Sequence, residues 1–177
     1  MSVKCNFKRS LFLSAAFFLL YVPLSYTANL VQDFYLPMPE AQISQANNTI
    51  VSGSAGAIMS TFSVVVTGDG TVVYYDQWED GYETDLGSPA QSSTQIWGDG
   101  NDANGVPPGF AHDPSGLSAG TVITLTNSVS LPRNPSQLLW DARDHIAASK
   151  AIVISRAAWP TGVGPVFAGA AGVLSTI

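Results

Sequence analysis

The chain has 177 residues, a formal charge of −6 and a single cysteine; 46% of its residues are apolar, 10% aromatic and 11% charged. With seven bases in all there is no basic footprint for nucleic acid, and an acidic chain is repelled by an anionic membrane surface. The aromatic content and low charge exclude wholesale disorder, and the length suits one domain.

Taken in chain order, the first feature is a leader. Residues 1–28 hold three of the seven bases (Lys4, Lys8, Arg9) and none of the thirteen acids, and Leu11–Val22 is a twelve-residue apolar run stopped by Pro23. That run is shorter than the roughly 20 residues of a membrane span and fits the apolar core of a signal peptide. Cleavage is expected near Thr27 or Ala28, followed by a module over 29–177. The mature chain then sets four bases against thirteen acids, a net charge of −9. Cys5 precedes the apolar run and leaves with the leader, so no disulfide, thiolate nucleophile or thiolate metal site is expected.

No helix-period segment of ten or more residues stands out in the mature chain. Ile58–Val66 and Val72–Asp76 are rich in β-branched and aromatic residues, and Asp69-Gly70 between them suits a type I′ hairpin turn. That pairing predicts one core face carrying Phe62, Val64, Val66, Val73 and Tyr75. Further strands are predicted at Ser93–Trp97, Gly120–Asn127, Leu138–Asp141 and Ala151–Ser155, the last two joined by a polar Arg143-Asp144-His145 region. Gly98–Gly116, with Pro107, Pro108 and Pro114, reads as a long loop of the kind that often carries function. Short β segments punctuated by Gly, Pro, Asn and Asp predict an all-β fold, an antiparallel β-sandwich with long acidic and Gly/Pro-rich loops. The apolar, glycine-rich run Gly162–Ile177 suggests a chain truncated from something longer, or else a C-terminal strand docked onto the core.

Residues 29–132 contain eleven acids and no lysine or arginine. Five acids fall within Asp76–Asp85, where a helix would set like charges at i,i+4 and Gly81 weakens it further, so a loop is expected. Calcium takes six to eight oxygen ligands in irregular geometry, so Asp76, Glu79, Asp80 and Glu83 are candidates to share one site with Asp99, Asn101 and Asp102. A solvated acidic loop, magnesium, or an arginine partner (Arg133, Arg143 or Arg156) are the alternatives. Trp78 and Tyr82, among these acids, are candidates to stack on a sugar; the competing reading has Tyr75, Trp78 and Trp97 filling the core.

The segments Ser63–Glu83 (SVVVTGDGTVVYYDQWEDGYE), Gln95–Gly100, Ala119–Asn127 and Ser149–Pro160 together resemble an N-terminal module of large secreted bacterial cell-surface proteins. Those proteins often carry immunoglobulin-like repeats further on, and the module is distantly similar to those of IgG-Fc-binding proteins. The resemblance implies export and a multidomain setting, and no catalytic residues.

Enzyme signatures are weak. Gly116-Leu117-Ser118-Ala119-Gly120 spells the nucleophile-elbow pattern but lies between a proline-rich loop and a β-like run, the reverse of the strand-to-helix turn required. His112 and His145 are the only histidines and do not make a zinc face. Glu79 and Glu83 are the carboxylates a glycosidase would use. Asn47-Asn48-Thr49 is a glycosylation sequon if the source is eukaryotic. The reading that results is a secreted or cell-surface structural and adhesion module, with structural calcium as an option. Its expected partners are downstream domains and surface glycans or proteins, with no nucleic acid and no membrane after leader removal. A carbohydrate-binding module is the alternative, and a glycosidase the next.

Overall fold

A computed structural model describes residues 30–50, 56–162 and 173–176. The predicted leader, and 163–172 within the C-terminal run, lie outside the described residues. The elements are β1 (Gln32–Tyr35), α1 (Glu40–Ile50), β2 (Ile58–Val66), β3 (Val73–Asp76), a 3-10 turn (Trp78–Asp80), β4 (Gln95–Trp97), β5 (Val122–Val129), β6 (His145–Ala148), β7 (Ile152–Pro160) and β8 (Val173–Thr176). They form two four-stranded antiparallel sheets, ordered β1-β6-β3-β4 and β5-β2-β7-β8. The predicted all-β sandwich is the observed architecture. The backbone of β8 pairs with β7, Arg156 opposite Ser175, so part of the C-terminal run does dock as a strand.

Strict alternation builds the core. Along β2 every second residue is buried, which points Phe62, Val64 and Val66 inward. From the facing sheet Val73, Tyr75, Trp97 and Ile146 meet them, and Ile123, Leu125 and Ile154 complete the layer. Tyr75, Trp97 and Trp140 lie ring against ring, with centroids 4.9–6.0 Å apart. These large rings supply much of the apolar area that holds a disulfide-free sandwich.

The predicted β2–β3 hairpin does not form. Both edges of β2 are taken, by β5 and β7, and β3 belongs to the other sheet between β4 and β6. Asp69 lacks the positive φ that a type I′ turn requires; among the described non-glycine residues only Met38 and Arg143 have it. Instead Val66 N–H donates to Thr121 O at 2.9 Å and Thr71 bridges Leu117, so the segment crosses between sheets. The predicted core face survives, because the five side chains converge from opposite layers.

Leu138–Asp141 is no strand. Its backbone N–H groups donate to side chains: Leu139 to Glu79 Oε1 (3.2 Å), Trp140 to Asn127 Oδ1 (2.6 Å) and Asp141 to Asp144 Oδ2 (3.1 Å). The strand in this region is β6, which starts at His145, inside the stretch read as a polar joint. Helix α1 was also unexpected. It buries Glu40, Ile43 and Asn47 at i, i+3 and i+7, and because two of the three are polar the stripe leaves no hydrophobic period. Asn47 is 1% exposed, so the sequon's acceptor is shut inside the fold.

The two outer faces differ. Outward positions of β5, β2 and β7 carry only Val, Thr, Ser, Met, Ala and Trp. Titratable groups sit instead on the β1-β6-β3 face and its loops.

Candidate functional site

Strand register sets the site. Tyr35 on β1 and Asp76 on β3 both lie opposite His145 on β6, so the three form one row across the outer face. The Tyr35 ring stacks on His145 at 4.3 Å with planes 4° apart. His145 Nε2 meets Asp33 Oδ1 at 2.5 Å, while Nδ1 is buried, has no hydrogen-bond partner among the described residues and lies 3.8 Å from Asp76 Oδ2. Tyr82, from the loop after the 3-10 turn, stands perpendicular to both rings, 5.3 Å from Tyr35 and 6.2 Å from His145. Its hydroxyl donates to Arg143 O at 2.8 Å, holding a residue whose φ is +84°. Tyr35 is 56% exposed and Tyr82 44%.

The candidate metal ligands are not brought to one point. Asp76 is fully buried and accepts from Glu83 N–H (2.9 Å) and the Thr94 hydroxyl (3.0 Å). Asp80 accepts from Ser93 N–H and hydroxyl, and Glu83 from Ala90 and Gln91 N–H. Glu79 pairs with Arg133, one of the arginines weighed as a partner. In the long loop Asp99 accepts from Asn101 N–H and Asn104 Nδ2, Asn101 Oδ1 from Ala103 N–H, and Asp102 from Asp113 N–H. Asp102 also meets His112, and these two bonds hold its carboxyl below the usual carboxylate range. Among the described residues no group of three or more His, Cys, Asp or Glu stands where it could hold a metal ion. Among the described residues these groups therefore do not gather into a shared calcium site; apart from Glu79 Oε2, which is buried without a hydrogen-bond partner there, their carboxylate oxygens face N–H and O–H donors, which relieve the charge that a cation was expected to relieve.

Of the candidate sugar-binding residues, Tyr82 is exposed and Trp78 is engaged. Trp78 Nε1 donates to Asp141 Oδ1 at 3.0 Å, and its ring carries Arg143 at 4.8 Å and Arg133 at 5.6 Å. Tyr35, Asp33 and His145 were missed by sequence reasoning. The four-residue β1 shows no apolar run, and nothing local links it to a strand over 100 residues later.

Behind the row lies a buried acidic network. Tyr75 donates its hydroxyl to Asp144 Oδ2 at 2.5 Å, and Asp141 accepts from Arg133 Nε at 2.6 Å. A cavity of about 30 Å³ beside it is lined by Glu40, Trp78, Arg133, Asp141 and Arg143. Burial raises the Asp144 carboxyl well above its usual range, and the nearby Asp141 and Glu79 charges push the same way. Burial likewise raises Asp141, Asp76 and Glu79 against the bonds they accept. Raised carboxyls hold their protons more tightly in the folded chain than in the unfolded one. Stability therefore falls as pH climbs from about 4, the unfolded carboxylate range, through the raised values. Thermal melts are expected to give a higher Tm at pH 5 than at pH 7.5, and Asp144→Asn to flatten that slope and raise Tm at neutral pH. A Tm that rises from pH 5 to pH 7.5 would show that other groups dominate.

Ser118 does not stand at a strand-to-helix elbow. It lies in a turn after the Leu117 bridge, its carbonyl accepting from Thr121 N–H, with no helix following. Comparison of the chain with protein-family models, with curated proteins and with solved structures finds no match. No described helix is long and apolar enough to cross a membrane.

Proposed function

We propose that this chain is an exported β-sandwich module with an adhesive or architectural role at the cell surface, joined in its working form to further domains. The observation behind the reading is the use of its acids. Asp76, Asp80, Glu83 and Asp113 clamp loop backbone, and Glu79, Asp141 and Glu40 clamp arginines. Groups tied in this way stabilise a rigid surface and are poorly placed for proton transfer to a substrate. Glu79 and Glu83, the glycosidase candidates, are both among them. The leader and the resemblance in Ser63–Glu83 support export and a multidomain setting.

The test is expression of the full chain with a C-terminal tag in a secreting bacterium. The expected product is exported and shortened by about 28 residues, the length of the basic and apolar leader. Deletion of residues 1–28 is expected to retain it in the cytoplasm. A product of full-length mass confined to the cytoplasm would overturn the export reading.

A further inference from the structure

We propose that the corner formed by Tyr35 and Tyr82, with Asp33 beside it, receives a cationic side chain, a lysine or arginine presented by a protein partner. The inference rests on the adhesion reading only for its setting, the cell surface. One face of Tyr35 lies on His145, so its large exposure leaves the opposite face open. Tyr82 stands perpendicular beside it, so two π-systems border one corner. The Asp33 side chain is 60% exposed, with Oδ1 against His145 Nε2. Aromatic faces attract cations through the ring quadrupole, and a carboxylate adds a charge-assisted hydrogen bond. Buried Asp76, in the same row, adds a second acid behind the site.

The polar inventory separates a cation from a sugar. A sugar needs donors as well as acceptors. Here Asp33 only accepts when ionised and the Tyr82 hydroxyl is already committed to Arg143 O, which leaves the Tyr35 hydroxyl as the one donor that these three side chains offer. Arg143 itself is turned onto Trp78 at 4.8 Å, the same cation-on-ring chemistry within the chain.

The probe is a blocked Gly-Arg-Gly tripeptide, with Gly-citrulline-Gly as its neutral isostere, titrated into the full chain and followed through the tyrosine ring NMR signals. Saturable shifts of Tyr35 and Tyr82 with the arginine peptide alone are expected. Tyr35→Ala and Asp33→Asn should each weaken binding about two- to fivefold, and Tyr35→Phe should preserve it. Both positions are exposed, and unchanged melts would show that the variants fold. Equal response to the citrulline peptide, or affinity unaffected by Tyr35→Ala, would overturn the proposal. So would ring shifts with methyl glucoside and none with the arginine peptide, which would mark the corner as a sugar platform. None of these readouts depends on export, so failure here and failure of the adhesion reading are distinguishable.

Discussion

Replacing Arg156 by methionine is expected to cost about 3–5 kcal/mol of unfolding free energy, the range for leaving half of a buried ion pair uncompensated. Arg156 sits on β7 with 2% of its surface exposed. Its guanidinium pairs with Glu40 at the start of α1, donates to Pro37 O and to Met38 O (2.6 Å), reaches Ser60 Oγ on β2 (3.2 Å) and lies over the Phe62 ring at 5.3 Å. One side chain thus ties the β1–α1 connection and the helix to the second sheet. Burial lowers its pKa while Glu40 opposes that shift, and an arginine so paired stays charged. Methionine fills comparable volume, which isolates the loss of charge from the loss of packing. Urea denaturation of R156M measures the effect. Adding Glu40→Met should recover part of it, since the stranded charge goes too; a loss under 1 kcal/mol in R156M would mean that the pair adds little.

Asp113→Ala is expected to cost about 2–4 kcal/mol and to loosen residues 98–116 selectively, as bonds to a charged group contribute roughly 1.5–3 kcal/mol each and solvent replaces part of them. Asp113 is 7% exposed. Its carboxylate accepts three successive backbone N–H groups, from Gly98 (2.6 Å), Asp99 (2.9 Å) and Gly100 (2.7 Å). The chain can aim all three inward because Gly98 and Gly100 take φ of +90° and +81°. Such a concave row of amides is an anion cradle, and here the anion comes from the same loop. A Cβ at Gly98 would stand 2.5 Å from Thr71 O, so the cradle also needs glycine for space. Hydrogen exchange at 98–100 and protease cleavage within the loop are the measurements. An unchanged cleavage pattern in D113A would show that the loop is held by other contacts, such as the Asp99–Ser115 bridge.

These effects show where local reading stopped. The Asp76–Asp85 cluster was visible in sequence as acids without bases, and a cation was one answer to their repulsion. The folded chain answers with backbone N–H donors, seven to thirteen residues along the same loop and sixty residues away at Leu139, and with Arg133, 54 residues away from Glu79. Side-chain-to-amide capping has no pattern of its own in a sequence, because the donor is common to nearly every residue. The same limit hid helix α1, whose buried face pairs Glu40 with Arg156 across 116 residues. It also misplaced the strand near residue 140. Leu138–Asp141 has strand composition, yet its amides are claimed by Glu79, Asn127 and Asp144.

The sequence by itself determined the class of fold, the positions of β2, β3, β4, β5 and the start of β7, the inward face of the first two, and the concentration of acid before residue 132. Those properties are written in period-2 alternation, turn residues and composition, which act over a few neighbours. Tertiary structure alone decided that β2 and β3 belong to different sheets, that the acids clamp backbone and arginines, and that Tyr35, Tyr82, His145 and Asp33 meet on one face. Partner choice between strands is a competition among hydrogen-bonding edges from the whole chain. Its outcome, here β5 and β7 displacing the nearest neighbour from β2, depends on long-range burial that no local window contains.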